Sequence, residues 1–111
     1  MSILDRFHLQ GQVAIVTGAG RGIGAAIARA FAEAGASVVL ASRTEEQLRQ
    51  VEAEIIAAGG TALVHPTDVL DLPQLQQLAD ATMERFGRID LLVNNAGGFP
   101  PAPVANTSAD K

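Results

Sequence analysis

Val13-Ala14-Ile15-Val16 is a short apolar run, β-branched at three of its four positions and closed by a glycine cluster, which is the pattern of a strand buried on both faces. From Gly22 to Ala34 the period changes. Ile23, Ala26, Ile27, Ala30, Phe31 and Ala34 recur three and four residues apart, predicting an amphipathic helix, and Gly35 stands where such a helix stops. The unit then repeats in kind. Ser37 to Ser42, centred on Val38-Val39-Leu40, reads as a second buried strand, and the following helix carries Leu48, Val51 and Ile55 on one face. Thr44 and Gln47 suit a capping box at its start, and Gly59-Gly60 ends it. A third strand over Thr61 to Val64 leads through His65-Pro66 and Asp68-Val69 to Asp71. That residue is placed to cap a third helix, with Pro73 tolerated in the first turn and Leu75, Leu78, Ala79, Thr82 and Phe86 facing inward. Gly87 closes this helix and Ile89 to Val93 reads as a fourth strand. Beyond it, Gly97-Gly98-Phe99-Pro100-Pro101-Ala102-Pro103 is too rich in Gly and Pro to continue any element.

Strands alternating with amphipathic helices imply a parallel sheet with right-handed crossovers and helices on both faces, a doubly wound α/β architecture. In such sheets ligands bind beyond the carboxyl ends of the strands, where strand order reverses. Unusual residues collect at those ends: Thr17-Gly18 after the first strand, Ser42-Arg43 after the second, Asp68-Val69 shortly after the third, and Asn94-Asn95-Ala96-Gly97 after the fourth.

Composition narrows the chemistry. The 111 residues contain no Cys, Trp or Tyr, and the only Lys is Lys111, so disulfide scaffolding, thiol catalysis, Cys-based metal sites and phenol chemistry are excluded from this polypeptide. With 48% hydrophobic residues and a net charge of −4, the chain suits a single soluble domain. Its acidic balance and scattered arginines argue against a nucleic-acid or anionic-membrane surface. No apolar run approaches the roughly 18 residues of a membrane span and no signal peptide opens the sequence, which makes the cytoplasm the expected location. The histidines, His8 and His65, lack any metal-ligand spacing and are read as structural, and no metal site is expected.

Thr17-Gly18-Ala19-Gly20-Arg21-Gly22-Ile23-Gly24 joins the first strand to the first helix. Glycines here permit a tight turn and let the backbone approach a pyrophosphate, while the helix start offers unpaired N–H groups and the positive end of its dipole. The spacing departs from Gly-x-Gly-x-x-Gly, because Ile occupies position 23 and the last glycine comes at 24. Read as Thr-Gly-x-x-x-Gly-x-Gly, and taken with Asn94-Asn95-Ala96-Gly97, the sequence resembles the classical short-chain dehydrogenases/reductases over essentially its whole length.

The resemblance implies a Rossmann-type fold of which residues 1–111 are the front part, the first four strands and three helices of one dinucleotide-binding domain incomplete at its C-terminus. It implies that Gly18 to Ile23, including Gly20, Arg21 and Gly22, wrap the pyrophosphate and adenosine ribose. Asp68 would accept from the adenine amino group, and the Val69 N–H would serve a ring nitrogen. Asn95, Ala96 and Gly97 would line the ribose and nicotinamide side, with Thr17 and Asn94 bracing the strands. Charge then selects the cofactor. An NAD site places an acidic residue at the end of the second strand, whereas Ser42 and Arg43 stand here, and Arg21 can face the same position, so NADP(H) is expected over NAD(H).

The family's proton transfer, by a Ser and a Tyr-x-x-x-Lys pair, has no counterpart in these residues, so catalytic groups are expected beyond Lys111 and the 111-residue chain alone is expected to be inactive. The full-length protein is expected to interconvert an alcohol and a ketone or aldehyde, and the resemblance further implies a homo-oligomer. Two other classes fit parts of the pattern. A non-catalytic dinucleotide-binding module would keep the glycine loop and both arginines. A methyltransferase also uses a glycine-rich first turn, but normally requires an acidic residue where Ser42-Arg43 stands.

Overall fold

The computed structural model describes residues 9 to 95. The elements follow in the order β1 (Val13–Thr17), α1 (Gly22–Glu33), β2 (Ser37–Ala41), α2 (Glu45–Ala57), β3 (Thr61–Val64), α3 (Leu72–Phe86) and β4 (Leu91–Val93). All strand pairs are parallel and the sheet order is β3-β2-β1-β4. The chain builds outward from β1 to β3, then returns to the opposite side of β1. Strand order therefore reverses between β1 and β4, whose registers pair Val16 with Val93.

The period of two along each strand sorts its side chains onto two cores. On one face Val16, Val38, Leu40, Ala62 and Val64 meet α1 and α2 through Ala25, Ala28, Ala32, Leu48, Val51 and Ile55. On the other, Val13, Ile15, Val39 and Ala41 meet α3 through Leu78, with Leu75 and Phe86 packed at the margin. Val38, Val39, Leu40 and Leu48 are wholly buried, each contributing about 2 kcal/mol of transfer free energy.

Three elements differ from the expectations. The buried face of α1 is Gly24, Ala25, Ala28 and Ala32, while Ile23 is 72% exposed and Ile27 and Phe31 pack only at the core's flank. Small residues are turned toward the sheet because they let the helix axis approach the strands closely. The expected capping box of α2 does not form. Thr44 is the N-cap residue without a side-chain cap bond, and its N–H donates to Ser42 Oγ (3.2 Å) instead. The fourth strand begins at Leu91 rather than Ile89. The α3 ends match expectation: Asp71 Oδ1 accepts from Gln74 N–H (3.2 Å), and Gly87 closes the helix at φ 78°.

At the N-terminal edge of the sheet Asp90 Oδ2 accepts from Val13 N–H and from Arg88 Nε, both at 2.8 Å, while Asp90 N–H donates to Val13 O (2.9 Å). The Arg88 hydrogen bonds, followed by the Val13 N–H, hold the Asp90 carboxyl below its ordinary value of 3.8. A depressed carboxylate stabilises the fold above the unfolded-state pKa, and that contribution is lost as pH falls through the folded value. Asp90→Asn should therefore be less stable than the parent chain near neutrality, with the gap closing below about pH 4. Thermal melts at stepped pH check this, and a gap independent of pH would contradict it.

Candidate functional site

The glycine loop leaves β1 through Gly18 (φ 62°) and enters α1 through Gly22 (φ 59°), the left-handed region that L side chains rarely adopt. Ala19 N–H donates to Ala41 O (3.2 Å), tying the loop to the end of β2. Gly24 is fixed by crowding: a Cβ there would overlap the Gly18 carbonyl and lie 2.6 Å from Asn95 Nδ2. A Cβ on Gly22 would meet nothing within 4 Å, so that side of the loop is open space. The N-cap residue Arg21 is extended and makes no side-chain cap. The first amide to close a helical bond is that of Ala25, which donates to Arg21 O (3.3 Å). The N–H groups of Gly22, Ile23 and Gly24 therefore begin the helix without intrahelical acceptors, a cradle suited to an anion.

Thr17 joins the two strands that flank the reversal of strand order. Its buried hydroxyl is within donating reach of Val93 O (3.3 Å) and Asn94 Oδ1 (3.2 Å) and accepts from Asn95 N–H (2.8 Å). This satisfies the bracing expected of Thr17 and Asn94, and it holds Asn95 beside the glycine loop.

Arg21, in the glycine loop, and Arg43, after β2, are exposed, and among the described residues neither forms an ion pair. The contrast with Arg29, Arg49 and Arg88 is plain: each of those is within 3.2 Å of a carboxylate oxygen. The ladder between β2 and β3 continues past the strands, through His65 N–H to Leu40 O (2.9 Å) and Thr67 N–H to Ser42 O (2.7 Å). Thr67 is buried. Its hydroxyl donates to His65 O (2.8 Å) and lies 3.1 Å from His65 Nδ1, which gives His65 a structural partner.

These strand ends surround one open cleft of about 740 Å³, within the roughly 300–1,000 Å³ typical of small-molecule sites. Of the candidate residues, Gly18, Gly20, Arg21, Gly22, Ile23, Ser42, Arg43, Asp68, Val69 and Asn95 all line it. Ala96 and Gly97 lie outside the described residues. The lining also includes Thr44, Gln47, Thr67 and Leu70, which the sequence reading did not select. Gln47 stands one turn into α2, where a Cβ on Gly20 would meet its side chain at 2.9 Å, a contact created by tertiary approach and invisible in any spacing. Among the described residues no cluster of His, Asp and Glu suits a metal ion, and no helix is long and apolar enough to cross a membrane.

The cleft's donor set fits a dinucleotide. Its lining brings together the loop and first turn of α1, the guanidinium-bearing Arg21 and Arg43, and a single carboxylate, that of Asp68.

Residues 12–111 match the family model described as short chain dehydrogenase. The chain is 49% identical over 104 residues to L-fucose dehydrogenase of Rattus norvegicus, covering 94% of this chain and 36% of that one. It superposes on the crystal structure of a hydroxysteroid dehydrogenase from Escherichia coli with a TM-score of 0.83 at 44% identity, covering 89% of this chain and 42% of the other. On a metagenomic short-chain oxidoreductase crystallised in complex with NADP the TM-score is 0.79 at 53% identity, covering 82% and 41%. The chain thus spans about 40% of the length of the curated relatives it matches.

Proposed function

Because this chain belongs to the short chain dehydrogenase family, we propose that it forms the cofactor-binding portion of an NADP(H)-dependent oxidoreductase that interconverts an alcohol and a ketone or aldehyde. The observation that carries the reading is that two guanidinium-bearing residues, Arg21 and Arg43, line the cleft, and that Ser42-Arg43 stands after β2 where an NAD site would hold a carboxylate. A 2′-phosphate accepts charge-assisted hydrogen bonds from such groups.

In this reading the N–H groups of the Gly18–Ile23 loop and the start of α1 hold the pyrophosphate. Arg21, Ser42 and Arg43 hold the 2′-phosphate, Asp68 and Val69 the adenine, and Asn95, Ala96 and Gly97 the ribose and nicotinamide side. The bound nicotinamide supplies or takes up the hydride. Proton transfer belongs to residues of the full-length protein outside these 111, a Ser and a Tyr-x-x-x-Lys pair. Relatives of comparable identity are named for L-fucose and for a hydroxysteroid, so the proposal stops at a small-molecule alcohol or carbonyl. The family resemblance alone supports a homo-oligomer, and a cytoplasmic location is part of the same proposal.

Titrating the chain with NADP+ while recording backbone amide resonances tests the placement. The amides of Gly20 to Gly24, Arg43 and Val69 should shift together with one affinity. Shifts confined to other surfaces would overturn the assignment of this cleft.

A further inference from the structure

Asp68 opens a tight turn held by its own hydrogen bonds. Asp71 N–H donates to Asp68 O (3.0 Å), closing the turn over residues 68–71, and Leu70 N–H donates to Asp68 Oδ1 (3.0 Å). One carboxylate oxygen is thereby committed within the turn. Among the described residues, Oδ2 and the Val69 N–H take no protein partner.

The contact that fixes this turn from outside comes from Gln74. Asp71 is the N-cap of α3 and Gln74 stands three residues on, the arrangement of a capping box, in which the glutamine would return to the N–H of the cap residue itself. Gln74 passes over that group. Its Oε1 accepts from Asp68 N–H at 2.7 Å, its Nε2 donates to Asp71 Oδ2 (3.2 Å), and its own N–H donates to Asp71 Oδ1 (3.2 Å). Both functional atoms of one side-chain amide are thus spent on the two ends of the turn. Gln74 is not in the cleft lining, whereas Asp68, Val69 and Leu70 are.

We propose that Gln74 is a positioning residue for base recognition: from the first turn of α3 its amide locks the 68–71 turn so that Asp68 Oδ2 and the Val69 N–H are presented to the adenine. The inference rests on the proposed function, which puts the adenine at this end of the cleft. An acceptor and a donor held at fixed separation match the 6-amino group and the adjacent ring nitrogen of adenine. Hypoxanthine carries an oxygen in place of that amino group, so the carboxylate would face an acceptor and the site should reject it. That selectivity depends on the turn being held before the base arrives, since a loose turn can rotate the carboxylate away from the mismatch.

The test compares binding of NADP+ with that of nicotinamide hypoxanthine dinucleotide phosphate by calorimetry. The parent chain should prefer the adenine form by about tenfold or more. Gln74→Asn keeps an amide at a tolerated helix position but falls one methylene short of Asp68 N–H, and should bring the two affinities to within about threefold. A role confined to helix stability would lower both affinities alike and leave their ratio unchanged. A parent chain that discriminates beside a Gln74→Asn chain that discriminates equally overturns this inference alone. A parent chain that binds both dinucleotides equally removes Asp68 from adenine recognition, and the inference falls with that part of the proposed function.

Discussion

Arg43→Asp should reverse the cofactor preference of the cleft. The exchange removes a guanidinium that no carboxylate neutralises among the described residues and puts a negative charge where the 2′-phosphate would lie. A hydrogen bond to a charged group is worth about 1.5–3 kcal/mol, and the like-charge contact adds to its loss, so NADP(H) should weaken by roughly 100-fold. NAD(H) carries ribose hydroxyls at that position, which a new Asp can accept from, so its affinity should hold or rise. The measurement is the ratio of the two dissociation constants. Equal weakening of both cofactors would show that Arg43 supports the fold around the cleft rather than the phosphate within it. Arg21→Ala should move the ratio in the same direction by a smaller factor, because no repulsive charge is introduced.

Gly24→Ala should give the largest loss of stability among single-methyl additions in the loop. The new methyl meets the backbone carbonyl of Gly18, which cannot swing aside, and the side-chain Nδ2 of Asn95, whose own N–H is tied to Thr17. Overpacking of this kind costs typically 1–3 kcal/mol, which for a domain of this size lowers Tm by roughly 10 °C at the upper end. The informative comparison is Gly22→Ala. There the methyl meets nothing, and the cost is only the left-handed backbone, about 1 kcal/mol. Gly22→Ala should therefore melt close to the parent chain while losing dinucleotide affinity, because its methyl occupies the open side of the anion cradle. A Gly24→Ala chain that melts no lower than Gly22→Ala would contradict the close approach of helix and loop.

The features that were legible in the sequence are those whose cause is local. A buried parallel strand needs a continuous apolar run, as at Val13–Val16 and Val38–Leu40. A left-handed turn needs glycine at 18 and 22, and the Asp71 cap needs an oxygen three residues before the amide it receives. Parallel strands feed their following loops to one rim, which is why residues as distant as Arg21, Arg43, Asp68 and Asn95 could be assigned to one site from strand ends alone. The face of α1 was not legible. In a helix so rich in alanine and glycine, size does not mark burial, and the large Ile23 stands outward while Ala28 is wholly buried. The missed residues have other causes. Gln47 reaches the loop only because α2 packs beside α1, Thr67 is recruited by continuation of the β2–β3 ladder, and Gln74 imitates a capping box while bonding elsewhere. Gln47 and Thr67 acquire their roles from tertiary approach, which leaves no periodic trace, whereas Gln74, outside the lining, makes a local bond to Asp68 that the capping-box pattern conceals.

The central claim, that this cleft is built for a dinucleotide bearing a 2′-phosphate, is tested most directly by calorimetric titration of the unaltered chain with NADP+ and NAD+ under one buffer. Two guanidiniums facing an otherwise uncompensated phosphate predict that NADP+ binds at least about tenfold more tightly, with the advantage shrinking as salt is raised. Equal affinities, or a preference for NAD+, would contradict it.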